Sequence, residues 1–334
     1  MQRLYPTRLA PSAAAPRPRR LAACLVILLL PMGGCTSIRE MLGMKGNYLF
    51  LAEDALATPG QQVRVGVRLQ KGSFLSDDKG EMVRFVLHAR LVGQAMTDDE
   101  GWATISYTTD MPGDYLFTAT CRPGGQADRE VQTQVLLAVR PAYTPLCVVD
   151  LDKTLVDAGF KHVLGGKAQP MEMSTRVMDR LAGRYAIVYL TARPEYLELR
   201  TRDWLNEHKF PPAPVFLADV KQLLGGSRNY KTHVLANIRK SFTGLGVGIG
   251  NTKGDMEAYA ANDLTPIFLV YLAKKEKQEK SEIRKKIEQV RELPATVQAA
   301  MDWEEIEAAV LDNRKLPAER AIQELEEMLR NAPR

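Results

Sequence analysis

The stretch from Leu146 to Asp157, LCVVDLDKTLVD, limits the possible fold more than any other part of the chain. Four apolar residues, Leu146 to Val149, follow Pro141 and Pro145 and stop abruptly at Asp150. A short apolar run without polar alternation, bounded by prolines and acids, predicts a strand buried on both faces of a parallel sheet, with carboxylates at its carboxyl tip. Asp150 and Asp152 are two apart, so in extended backbone their side chains point the same way. Adjacent carboxylates repel unless a proton or a cation compensates them, and Mg²⁺ is the usual cation for hard oxygen ligands. A chance acidic turn is the competing reading, which the rest of the chain must decide.

After Arg140-Pro141, strand-like runs alternate with helical patterns. Leu146–Val149, Ala186–Leu190, Val215–Leu217, Val247–Ile249 and Ile267–Val270 read as strands, and Met173/Val177/Leu181, Leu197/Thr201/Trp204, Val234/Leu235/Ile238 and Met256/Tyr259 read as helix faces between them. This alternation predicts an α/β domain with a doubly wound parallel sheet, whose ligands bind at the carboxyl ends of the strands. Thr191 at the second strand's end offers a hydroxyl to a phosphoryl oxygen, and Arg193 offers either a fork for phosphate or a surface ion pair. Lys231, opening a helix after Asn229-Tyr230, supplies fixed positive charge; Lys221 competes for that role. Gly248 and Gly250 let the backbone run close to the site, and Asp255 follows at a helix start. The connections are too short for a large cap, so the site is expected to be open.

These four elements, in this order, resemble the motifs of the haloacid dehalogenase (HAD) superfamily of aspartate-nucleophile phosphatases. Over residues 146–272, YLTARPE from Tyr189, RDWLNEHKFP from Arg202 and the run from Asn251 through Asp255 to Tyr259 look like the domain shared by lipin-type phosphatidate phosphatases and membrane-associated phosphatidylinositol transfer proteins. The resemblance implies Asp150 as nucleophile and Asp152 as proton donor and then base. It also implies Mg²⁺ as cofactor, held by Asp150, Asp255 and a backbone carbonyl at Asp152, with Thr191 and Lys231 on the equatorial oxygens. The substrate is then a phosphomonoester, with a lipid phosphate such as phosphatidic acid favoured by the open site. The transfer-protein branch is thought to bind phosphatidic acid without hydrolysis, which leaves a binding module as the alternative. Lys153 departs from the family, standing where a glycine is common.

Residues 1–34 carry Arg3, Arg8, Arg17, Arg19 and Arg20 with no acid, then the apolar run Leu21–Met32 and Gly33-Gly34-Cys35. The run is too short to span a bilayer and fits a secretory signal. The ending looks like a bacterial lipobox, which implies acylation of Cys35, a membrane tether over 35–46 and a place in the cell envelope, facing the periplasm from the outer membrane. Of 45 basic residues these five would leave with the signal, so 40 face 40 acidic residues and the net charge of +5 becomes zero. Nucleic acid therefore has no electrostatic claim as a partner.

Residues 47–140 alternate with period two between turn signals such as Pro59-Gly60, Asp77–Gly80, Asp98–Gly101 and Pro112–Asp114, and look like a bacterial immunoglobulin-like β-sandwich. Its acidic loops read as solvated turns before they read as Ca²⁺ sites. Its partner, if it has one, is not written in the sequence. Cys121 and Cys147 read as buried thiols before they read as a disulfide, and His88, His162, His208 and His233 as structural. Residues 273–334 form a charged helical region that either packs on the sheet or extends from it.

Overall fold

The computed structural model describes residues 38–159, 168–274 and 276–333. The expected signal segment, Cys35 and His162 lie outside the described residues. No helix among the described residues is long and apolar enough to cross a membrane.

The first half is a β-sandwich. One sheet joins β1 (Tyr48–Glu53), β3 (Val63–Lys71), β4 (Ser76–Asp77) and β7 (Trp102–Tyr107); the other orders β2 (Ala55–Ala57), β9 (Val131–Val139), β8 (Gly113–Cys121), β5 (Met82–Leu87) and β6 (Arg90–Met96). Alternate residues turn inward, as Val83 and Phe85 of β5 do while Met82 and Arg84 face out. The run 83–91 reads as one strand in the sequence, yet it is a hairpin: His88 and Ala89 both take positive φ, 48° and 61°. His88-Ala89 lacks the Asn-Gly, Asp-Gly or Gly-Gly pair that marks a tight hairpin in a sequence, so the break has no strong turn signal. Asp98 accepts the Glu100 and Trp102 amides, each at 2.9 Å, which accounts for this acidic loop as a turn.

The second half is a six-stranded parallel sheet ordered β12 (Val215–Ala218), β11 (Ala186–Pro194), β10 (Leu146–Val149), β13 (Gly246–Gly250), β14 (Leu264–Leu269) and β15 (Gln298–Ala300). Every residue of β10 is fully buried, as an apolar run in a central parallel strand must be. Cys147 and Val149 enter one hydrophobic layer, with Val177, Trp204, Trp303 and Ile306; Leu146 and Val148 enter the other, with Leu235, Tyr259, Ile287 and Leu325. Two buried faces are what place helices on both sides. After α1 (Ile38–Leu42), one face carries α2 (Ser174–Ala182), α3 (Glu198–Glu207) and α8 (Trp303–Leu311); α4 (Val220–Leu224) is a short connector; the other face carries α5 (Ser227–Arg239), α6 (Lys253–Ala260), α7 (Lys280–Arg291) and α9 (Ala318–Asn331). Residues 276–331 therefore pack on the sheet, and an α/β core closed at residue 272 leaves out the sixth strand. Gln-Ala-Ala carries no strand signal of its own; β15 exists because β14 offers it an edge. Cys121 and Cys147 are buried free thiols in different cores.

The sandwich is joined to the α/β domain through Asp54, which is buried. Its two oxygens accept the Leu136 amide at 2.7 Å and the Val215 amide at 2.9 Å, one in each domain, and Arg202 on α3 approaches to 2.7 Å. Arg68 of β3 pairs with Glu195, and Leu42 and Leu49 close a small cluster with Leu197. The end of the expected tether is thus packed against the body. Asp54→Ala leaves two buried amides unpaired and takes from Arg202 one of its two carboxylate partners, the other being Glu198, and is expected to cost about 3–5 kcal/mol, read as a lower midpoint in urea unfolding.

Candidate active site

The site lies where the β10 chain leaves the sheet. Asp150 follows β10 directly, its amide held to the Ile249 carbonyl of the neighbouring strand at 3.0 Å. Lys231 lies in the first turns of α5, and its ammonium donates to Asp150 Oδ1 at 2.7 Å and to Asp255 Oδ1 at 2.6 Å. The two carboxylate oxygens therefore stand within two hydrogen-bond lengths of each other. Asp255 is fixed at the start of α6 by reciprocal bonds: its amide donates to Thr252 Oγ1, and its Oδ2 accepts the Thr252 amide, both at 3.1 Å. All three charged groups are buried.

Burial opposes a charge on Lys231, but Asp150 and Asp255 outweigh it and hold the ammonium above the ordinary lysine range. Asp150 is pushed up to about 7, first by burial; Lys231 pulls it down, and the Asp255 and Asp152 charges push it up. One lysine thus compensates incompletely for the carboxylates, which is an electrostatic demand for further positive charge.

Glycine spacing makes the approach possible. A Cβ on Gly248 would stand 2.2 Å from the Tyr259 ring, and one on Gly250 would stand 2.8 Å from the Asp255 side chain. Tyr259 in turn donates to the Ile249 carbonyl at 3.1 Å, tying α6 to β13. Gly248→Ala is expected to lose at least about 3 kcal/mol through overpacking, seen as a drop in the urea midpoint together with loss of function.

Asp152 is treated differently. Arg193 donates to it from Nε at 2.9 Å and from the terminal nitrogen at 2.8 Å, and places its other nitrogen on Thr201 Oγ1 at 3.2 Å. Arg193 is itself buried, so the sequence alternatives of a phosphate fork or a surface pair give way to a buried clamp on Asp152. Nothing in the sequence pairs these residues, which lie 41 positions apart. Thr191 is buried within β11, three residues before that strand ends at Pro194 rather than at its tip. Lys221 is exposed and faces Glu100 at 3.5 Å, away from this group. His88 lies in an exposed hairpin, His208 lies against Trp204 with the rings tilted by 52°, and His233 meets Asn237 at 3.2 Å, none of them in the site.

Among the described residues no cluster of three His, Cys, Asp or Glu side chains could hold a metal. The Asp152 carboxylate is taken up by Arg193. What remains are two hard-oxygen carboxylates, Asp150 and Asp255, around one cationic point. Such a pair with backbone carbonyl and water oxygens fits Mg²⁺, which keeps several waters and takes one or two carboxylates.

Residues 147–272 match the family model of the LNS2 domain of PITM 1-3. The match supports a HAD-like domain over that range, and it includes Asp150, Asp152, Thr191, Arg193, Lys231 and Asp255. No curated protein matches the chain. Among solved structures, a D,D-heptose 1.7-bisphosphate phosphatase from B. bronchiseptica complexed with magnesium and phosphate is 14% identical, covers 51% of this chain and 99% of its own, and superposes with a TM-score of 0.39. The titin M10–obscurin like 1 Ig complex is 10% identical over 29% of this chain and 95% of its own, with a TM-score of 0.22. The D0-D1 domain of intimin is 21% identical over 28% of this chain and 49% of its own, also at 0.22. These likenesses are remote, and the fold assignment rests on the strand orders above.

Proposed function

We propose that the chain is a Mg²⁺-dependent phosphomonoester hydrolase acting through an aspartyl-phosphate. The observation that carries this reading is the buried Asp150–Lys231–Asp255 group at the carboxyl end of a central parallel strand. Asp150 Oδ1 is anchored by Lys231, and no hydrogen bond holds its other oxygen among the described residues, which leaves that oxygen as the attacking atom. Mg²⁺, held by Asp150, Asp255 and the Asp152 backbone carbonyl, would supply charge that lets an anionic nucleophile meet an anionic substrate. Lys231 and Thr191 bind the equatorial oxygens where charge gathers. Asp152, oriented by Arg193, protonates the leaving oxygen and then takes a proton from the incoming water. Arg193 is thereby a positioning residue.

A lipid phosphate is the favoured substrate. The helix Ile38–Leu42 is pinned to α3 by Arg200, whose Nε donates to the Met41 carbonyl at 3.0 Å. The three steps from Ile38 back to Cys35 span at most about 11 Å. An acyl chain on Cys35 would therefore hold the α/β domain against the membrane of a bacterial cell envelope, with the site open to phosphatidic acid.

A second reading has one observation in its favour: both Asp152 oxygens already accept from the buried Arg193, so the side chain that would carry the proton is engaged inside the fold. A membrane-tethered module that binds phosphatidic acid without turnover follows from that. Phosphate release from phosphatidic acid in micelles and from para-nitrophenyl phosphate, with Mg²⁺ and with EDTA, separates the two. Turnover that EDTA abolishes is expected; saturable binding to phosphatidic acid vesicles without turnover of either compound would favour the module.

A further inference from the structure

Two lysines near the mouth of the site have no part in the chemistry above. Lys153 stands between Asp152 and Thr154 in the left-handed region, with φ of 58°, a conformation that costs any residue with a Cβ and costs glycine nothing. Its ammonium lies 5.7 Å from the centre of the Tyr271 ring, whose hydroxyl is hydrogen-bonded to Asp157. Lys286, on α7, lies 5.7 Å from the centre of the Phe268 ring. Phe268 and Tyr271 mark the carboxyl end of β14, two strands from β10 in the sheet.

Neither lysine is in an ion pair among the described residues. The acids that face Lys286 are engaged elsewhere: Glu276 accepts the Ala273 amide at 2.9 Å, and Glu282 pairs with Lys285 at 2.5 Å. Burial depresses the Lys286 pKa, the Lys153 charge depresses it further, and Glu276 and Glu282 oppose this only in part. A strained lysine and a half-buried lysine that repels it are costs that the two ring faces and the engaged acids offset only in part. Backbone strain kept beside a reactive residue points to a ligand.

Resting on the phosphatase reading, we infer that Lys153 and Lys286 form a second anion subsite, which takes a further phosphate or carboxylate carried by the substrate roughly 10 Å, two strand spacings, from the phosphoryl group that is cleaved. The substrate is then a phosphomonoester with a second anionic group. A soluble bisphosphate and a lipid with a doubly anionic headgroup share that chemistry.

The test compares kcat/KM within two pairs of substrates on the full chain: fructose 1,6-bisphosphate against fructose 6-phosphate, and phosphatidylinositol 4-phosphate against phosphatidic acid in micelles. The wild type should prefer the doubly anionic member of at least one pair, and the pair that shows it names the source. Lys286→Gln and Lys153→Gly should each lower that preference about tenfold. Lys153→Gly should also melt at a higher temperature, because the strain is gone, an effect that a purely structural lysine would not couple to selectivity. No preference in the wild type, or equal losses on both members of a pair, overturns the subsite. If the wild type turns over nothing, the phosphatase reading fails separately, and calorimetry in EDTA decides. Tighter binding of fructose 1,6-bisphosphate than of fructose 6-phosphate, equalised in Lys286→Gln, supports the subsite; equal wild-type affinities overturn it.

Discussion

Asp150→Asn should abolish Mg²⁺-dependent phosphate release from para-nitrophenyl phosphate, with kcat falling on the order of 10⁵-fold. An amide cannot attack phosphorus as a carboxylate does, yet its oxygen still accepts from Lys231 where Asp150 Oδ1 does now, at 2.7 Å. The fold should not suffer. Asp150 is pushed up to about 7 chiefly by burial, so its ionised form is a load on the native state, and removing the charge should leave the melting temperature unchanged or higher. Loss of activity with retained stability is the signature of a nucleophile rather than of a structural acid. Undiminished turnover in this variant would sink the assignment.

The second large effect is expected of Lys231→Met. The substitution keeps the buried length of the side chain and removes the cation shared by Asp150 and Asp255. Two carboxylates within two hydrogen-bond lengths are then buried without compensation, and breaking such a group costs about 3–5 kcal/mol. Urea unfolding should show the loss as a lower midpoint with an unchanged slope. Phosphate release should fall with it, since the proposed mechanism also sets the ammonium against the phosphoryl oxygens. Adding Mg²⁺ should raise the midpoint of the variant more than that of the wild type, because the ion replaces the missing charge. An equal response of both proteins would mean that Asp150 and Asp255 do not hold the ion.

The two experiments bear on different parts of the chain's legibility. Leu146–Val149 announces its environment, since four consecutive apolar residues suit only a strand covered on both faces, and the acids after it are where a parallel sheet puts ligands. Asp150, Lys231 and Asp255 are expected from local rules of this kind, each tied to a strand end or a helix start, whereas Thr191, expected at a tip, lies inside its strand. Lys153 was legible as a departure, but its meaning needed the backbone: only its positive φ and the nearby Lys286 turn an odd residue into a candidate contact. The hairpin at His88-Ala89 and the strand Gln298–Ala300 were not legible, because neither has a strong local signal and each is imposed by neighbouring strands.

What the sequence by itself determined is the order of strands, helices and acidic tips, because hydrophobic period and turn chemistry act over a few residues. Tertiary structure alone decided which partners those tips acquire. Arg193 turns to Asp152 across 41 residues, and Asp54 bridges amides of two domains. A buried charge takes whichever opposite charge or donor the packing brings within reach. That choice is made by three-dimensional distance, which one-dimensional spacing does not contain.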